Sequence, residues 1–197
     1  MKSEKENRIK RFTNTLEEIS DQILKNANEI NTDSMLKFVN LILDTHKFNN
    51  RVFLYGAGRS GFMGRAFAQR LMHLKIKSCF ISDAVTYRYT DKDLLIIISG
   101  SGETTSPVAI AQKARDIGGK LILLTTRPKS TIGKLCNLII EIKGKSKDKA
   151  ISQQTLAPYT SLFDISTLSV LDAIGGILME KLGIEEKDID NTHASIE

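Results

Sequence analysis

From Ile9 to Leu43 the apolar residues Phe12, Leu16, Ile19, Ile23, Leu24, Ile30, Met35, Phe38, Val39, Leu41 and Ile42 recur at helical spacing, with a break at Asn31-Thr32-Asp33. That pattern predicts two amphipathic helices, the second capped at its start by Thr32 or Asp33. Beyond them come short, nearly continuous apolar runs at Arg51–Tyr55, Lys77–Ser82, Leu94–Ser99, Leu121–Thr125 and Leu138–Ile142. Helical patterns at Ser60–Leu74 and Ser106–Ile117, with a shorter one near Ser130–Leu135, lie between them. Strands without polar alternation are buried on both faces, and strands alternating with helices join through right-handed βαβ crossovers. The predicted fold is a three-layer α/β/α sandwich around a five-stranded parallel sheet, with two N-terminal helices and a long C-terminal helix.

The stretch Lys143-Gly144-Lys145-Ser146-Lys147-Asp148-Lys149 interrupts the pattern and reads as a solvated loop. A last helix is expected from about Ser161 to Leu182, followed by a polar tail ending His193-Ala194-Ser195-Ile196-Glu197. Residues 1–197 read as a single domain, with helices over 1–48, an α/β core over 51–182 and a tail over 183–197. A chain of 197 residues and 21.9 kDa supports one hydrophobic core and leaves no room for a separate substrate domain. Amphipathic helices at both ends exceed what one sheet needs, so self-association is expected.

The formal charge of +5, from 28 basic against 23 acidic residues, suits anionic metabolites without requiring a polyanion. Aromatic residues are scarce and Trp is absent, which argues against a base-stacking platform, so no nucleic-acid partner is expected. Cys79 and Cys136 sit in or beside strand-like runs without a CxxC or Cys/His cluster, and read as buried, reduced thiols with no metal. Met1 to Arg11 is charged and has no apolar centre, and no run approaches ~18 apolar residues. Neither a signal peptide nor a membrane span is expected, and the compartment reads as cytoplasmic.

Two strand-like runs end in loops rich in glycine and hydroxyl residues: Gly56-Ala57-Gly58-Arg59-Ser60-Gly61 and Ser99-Gly100-Ser101-Gly102-Glu103-Thr104. Each opens into a helical pattern, and a helix N-terminus offers unpaired N–H donors and a partial positive charge to an anion. The first loop satisfies G-x-G-x-x-G and has Asp83 after the next strand, as a dinucleotide-binding oxidoreductase would. Against that reading stand the missing catalytic domain, the bulk of Arg59 and Ser60 within the loop, and the idle second loop. The second loop groups the Ser99, Ser101 and Thr104 hydroxyls with N–H donors, which suits the terminal oxygens of a phosphomonoester. Helix capping alone accounts for one such hydroxyl.

These residues resemble the sugar isomerase (SIS) domain family, whose fold is a flavodoxin-like five-stranded sheet binding phosphosugars through a Ser/Thr-rich loop. The likeness is closer to its 6-phospho-3-hexuloisomerase branch. It is carried by Gly56–Gly61, Phe67-Ala68-Gln69-Arg70-Leu71-Met72-His73-Leu74, Ser99–Thr104, the segment from Pro158 to Phe163 and the terminal His193-Ala194. The resemblance implies a hexulose 6-phosphate or related sugar phosphate as substrate, interconverted with fructose 6-phosphate in the ribulose monophosphate pathway without metal or cofactor. It also implies a homo-oligomer, a tetramer or dimer. The branch pattern Pro-Met-Gly-Thr/Ser-x-Phe-Glu becomes Pro158-Tyr159-Thr160-Ser161-Leu162-Phe163-Asp164 here, so the carboxylate is kept on a shorter side chain.

Moving a carbonyl to the adjacent carbon needs a proton carrier and a stabilised enediolate. The resemblance assigns proton transfer to Asp164 and His193, and leaves Gly58, Arg59, Ser60, Ser99, Ser101, Glu103 and Thr104 to bind substrate, with Arg59 facing the developing oxyanion. Asp164 also falls near a helix start, where an acid is favourable without catalytic duty. His193 stands in a polar tail, where histidines are usually solvated, and His73 reads as a structural histidine on the sheet-facing side of a helix. The same fold also serves non-catalytic phosphosugar-binding regulators, which remain the main alternative to an isomerase.

Overall fold

The computed structural model describes residues 2–145 and 154–192. Five parallel strands run in the order β2-β1-β3-β4-β5: β1 Val52–Gly56, β2 Ser78–Phe80, β3 Leu94–Ile98, β4 Lys120–Thr125 and β5 Leu138–Glu141. This is the flavodoxin-like order that the family resemblance implies. Register pairs Val52 with Leu94 and Gly56 with Ile98 across β1 and β3, so the two strands end level with each other. The central strand β3 is buried along its whole length because helices cover both faces. Each such Leu or Ile contributes about 1.5–3 kcal/mol relative to exposure.

The two faces of the sheet are unequally covered. On one, Leu94, Ile96 and Ile98 pack with α2 (Thr32–Lys47), α3 (Arg59–His73) and α5 (Ser161–Leu182) through Phe38, Phe67, Leu71, Phe163 and Leu171. On the other, Leu95 and Ile97 pack with α4 (Thr105–Ile117) through Ala111 and Ala114. The helix α1 (Lys2–Glu29) crosses α5 from outside this core. Among the described residues the sixth helix is α6 (Glu186–Asp190), in what the sequence reads as a polar tail over 183–197. It escapes periodicity because it is one short polar turn, held by a capping box between Glu185 and Asp188.

Other expectations are corrected. The cap of α2 is Asn31, one residue before Thr32, with its side chain accepting from the Ser34 N–H at 2.8 Å. Lys145, read as part of a solvated charge run, is buried with Nζ donating to the Thr155 hydroxyl at 3.1 Å. The rest of that run lies outside the described residues. Cys79 and Cys136 are only partly buried, yet desolvation pushes both thiols up, Cys136 to about 12. By length and composition α5 is apolar enough to cross a membrane, as core helices also are. Here half of it is buried, against α3, α1 and α2.

Candidate active site

In this strand order the chain turns from β1 toward β2 on one side and reaches β3 on the other, which makes the carboxyl ends of β1 and β3 a topological switch point. Ligands of open α/β sheets bind there. Both glycine loops leave these ends and frame a cavity of about 300 Å³. Gly58, Arg59 and Ser60 line it from the first loop, and Ser99, Ser101 and Thr104 from the second. Tyr159, Thr160 and Phe163, at the start of α5, close a further side.

The second loop is built by turning its carbonyls away from the cavity. The Gly100 carbonyl accepts from Thr126 N–H at 3.0 Å and from the hydroxyls of Thr125 at 3.0 Å and Thr126 at 2.8 Å. The Gly102 carbonyl accepts from Ile132 N–H at 3.2 Å. Within the loop Ser99 Oγ accepts from Gly102 N–H and Ser101 Oγ from Glu103 N–H, both at 3.2 Å, which orients the hydroxyls. Gly102 has φ +65°, and a Cβ there would come within 2.1 Å of Ser130 Oγ, so only glycine fits. The first turn of α4 follows, where Thr105 and Ser106 N–H groups have no intrahelical acceptor. Oriented hydroxyls, free N–H groups and a helix start make an oxyanion cradle.

The first loop brings a cation to the same cavity. Gly56 and Gly61 let the start of α3 approach β1, since a Cβ on Gly61 would lie 2.7 Å from the Gly56 carbonyl oxygen. Arg59 and Ser60 follow from this close approach as the first helical residues. Arg59 Nε donates to Asp164 Oδ2 at 3.2 Å, and Ser60 Oγ donates to Oδ1 at 3.0 Å. Thr160 Oγ1 donates to Oδ2 at 2.7 Å. The Arg59 side chain is 58% exposed and the Asp164 side chain 1%, so the acid lies behind the cavity wall while its three donors line it.

The sequence model of the sugar isomerase domain, described as "SIS domain", matches residues 47–167, which spans both loops and Asp164. The chain belongs to the SIS domain family. A Bacillus subtilis SIS relative named 3-hexulose-6-phosphate isomerase is 37% identical over 186 residues, covering 94% of this chain and 98% of its own. An uncharacterized protein of Archaeoglobus fulgidus is 39% identical over 185 residues, covering 92% of this chain and 98% of its own. The crystal structure of a Methanococcus jannaschii protein, described as inferring a 3-hexulose-6-phosphate isomerase function, superimposes with a TM-score of 0.79 at 30% identity. It covers 92% of this chain and 98% of its own.

In this SIS domain six of the predicted site residues meet at one cavity: Gly58, Arg59, Ser60, Ser99, Ser101 and Thr104. Asp164 joins them only through its donors. Glu103 points elsewhere, its carboxylate accepting from Thr131 N–H at 3.0 Å on the protein surface. The Thr131 hydrogen bonds, with Arg127 and Lys134 nearby, hold its pKa below the ordinary range. His193 lies outside the described residues. His73 is buried at the far end of α3, about 21 Å along the helix from Arg59 at 1.5 Å per residue. Asp83, which a dinucleotide site would need for a ribose, is paired with Arg65 at 2.9 Å.

Sequence reasoning missed the supports Thr125, Thr126 and Ser130, and the wall residues Tyr159 and Thr160. A pair of threonines closing β4 beside a phosphate-type loop was the available signal for the first group. Tyr159 has φ +39°, a conformation unusual for a bulky residue, and no local sequence pattern announces it.

Proposed function

We propose that this SIS domain is a phosphosugar isomerase interconverting 3-hexulose 6-phosphate and fructose 6-phosphate. The observation that carries the reading is the pairing, in one cavity, of a hydroxyl-lined helix start with a guanidinium backed by a buried carboxylate. The name of the Bacillus subtilis relative supports the substrate.

Ser99, Ser101, Thr104 and the start of α4 would take the phosphate, leaving the carbonyl end toward Arg59. The proton on C2 of the 3-hexulose leaves, an enediolate forms across C2 and C3, and C3 receives a proton. The C2 hydroxyl becomes the carbonyl and the C3 oxygen becomes a hydroxyl, so no atom is gained or lost. A fixed positive charge beside the enediolate oxygen, here Arg59, stabilises the charge as it develops. Asp164 and His193 are the proposed proton carriers, contributing together ~10²–10⁴-fold. Asp164 reaches the sugar when a substrate oxygen draws Arg59 off it. Sugar phosphates are dianions that do not cross bilayers unaided, so the proposed working compartment is the cytoplasm.

Self-association belongs to the same proposal. Along α1 polar residues tie the helix to the chain beneath it: exposed Arg11 donates to the Leu156 carbonyl at 2.9 Å, half-buried Glu18 accepts from Ala157 N–H at 2.6 Å, and buried Asn26 bonds both backbone groups of Lys143. Ile9, Phe12 and Leu16, three and four positions apart, are left exposed on one face. A second copy covering that stripe accounts for its exposure. Light scattering of Phe12→Lys against the unaltered protein tests it, with a smaller assembly expected.

Incubation with fructose 6-phosphate in D2O, followed by mass spectrometry of the sugar, tests the reaction. Deuterium entering the carbon skeleton is expected. Binding that raises Tm without exchange would instead make the protein a phosphosugar-binding regulator.

A further inference from the structure

The three donors that close over Asp164 are not equivalent. Charge-assisted N–H···O contacts usually run to about 2.7–2.9 Å, so Arg59 at 3.2 Å is the loose partner and Thr160 at 2.7 Å the tight one. Thr160 occupies the N-cap of α5, yet its side chain makes no capping hydrogen bond. Its hydroxyl turns forward onto Asp164, whose N–H bonds back to the Thr160 carbonyl at 3.0 Å. A threonine at a helix start ordinarily serves the backbone. This one serves a carboxylate, from a position on the cavity wall.

We propose that Thr160 is a positioning residue that holds the Asp164 carboxylate oriented when substrate draws Arg59 away. The proposal rests on the isomerase reading above. Arg59 is the charged group paired with this acid, and a buried carboxylate without donors is costly to keep charged. Ser60, on α3, borders the cavity and is open to competition from sugar hydroxyls. Thr160 sits four residues before Asp164 on the same helix start, so its hydroxyl stays within reach whatever Arg59 does. Charged groups on neighbouring elements are engaged elsewhere: Glu18 of α1 with Ala157 N–H, and Lys145 with Thr155.

The test uses Thr160→Val, Thr160→Ala and Thr160→Ser in the full chain, with two readouts. One is the split between kcat and KM for fructose 6-phosphate; the other is the 13C carboxyl resonance of Asp164 at pH 7 without ligand, assigned against Asp164→Asn. Losing the Thr160 donor frees the carboxylate to turn, so Thr160→Val moves that resonance and lowers kcat roughly tenfold with KM little changed. Thr160→Ser restores both, and Thr160→Ala carries the test should the valine variant not fold. An unmoved resonance and an unchanged kcat in a folded variant overturn the proposal, whatever the change in Tm. Wild-type protein without turnover overturns the isomerase reading instead, and the 13C resonance alone then decides the role of Thr160.

Discussion

At the proposed phosphate end of the cavity the loop Ser99–Thr104 is held by partners 25 to 30 positions along the chain, all but Glu103 neutral N–H groups, hydroxyls and carbonyls. At the proposed sugar end Arg59 and Ser60 are held by one buried acid 105 and 104 positions away. The first arrangement spreads its support over several bonds, so no single side chain decides the loop. The second concentrates its support on Asp164, whose length and placement set where the guanidinium points. One end therefore suits the binding of a constant group, whereas the proposed chemistry at the other turns on a single residue.

The largest effect is expected from removing that residue. Asp164→Ala should lower turnover ~10²–10⁴-fold, because the acid and the anchor of Arg59 go together. Stability should fall less than for a fully buried ion pair, since the Arg59 side chain is 58% exposed and can rehydrate. Protection of Tm by inorganic phosphate should match the unaltered protein, because the phosphate loop makes no bond to Asp164. Turnover within about threefold of wild type would remove Asp164 from the mechanism.

Gly102→Ala attacks the other end. The new Cβ meets Ser130 Oγ at 2.1 Å with φ fixed at +65°, and Ser130 is itself buried and bonded to Gly133 N–H. Strain and overlap should cost about 2–4 kcal/mol in urea unfolding. Phosphate protection should disappear in protein that remains folded. The same variant with normal phosphate binding would mean that the loop can reshape without its Ser130 contact.

The contrast also explains what the sequence made legible. Strands and both glycine loops could be read because apolar runs and loop chemistry are local signals. The sheet order came from the family resemblance, and the supports Thr125, Thr126 and Ser130, 25 or more positions from the loop they hold, were not legible. Asp164 could be placed at a helix start, yet neither its burial nor its bonds to Arg59 and Ser60 could be read, since they depend on α3 and α5 meeting in three dimensions. The inward face of α1 was misleading for a related reason. Periodicity shows that Phe12 and Leu16 share a face, but it takes the Glu18 and Asn26 bonds to show that this face points away from the rest of the chain.

A smaller effect separates the phosphate hydroxyls from each other. Ser101→Ala removes one hydroxyl that lines the cavity and accepts from Glu103 N–H, leaving Ser99 and Thr104 in place. A neutral hydrogen bond contributes about 0.5–1.5 kcal/mol. KM should therefore rise roughly three- to tenfold with kcat little changed. A fall in kcat at constant KM would place Ser101 at the reacting carbons rather than at the phosphate.

The smallest expected effect is at Glu103, which lies in the phosphate loop but is turned out of the cavity. Its carboxylate accepts from Thr131 N–H at 3.0 Å and ties the loop to the segment that also carries Ser130. Those Thr131 bonds lower its folded pKa, so the folded state holds fewer protons on this group than the unfolded chain does. The tie is thus fully present above the ordinary glutamate value of about 4.3 and is lost as pH falls through the lower folded value. Glu103→Gln cannot titrate, so its Tm should sit slightly below wild type at pH 6 and converge with it on acidification toward pH 3. A gap in Tm that stays constant with pH would show that the ionised form of Glu103 gives the loop no support. Activity at pH 7 should be nearly unaltered, which distinguishes a loop brace from a residue that touches the sugar.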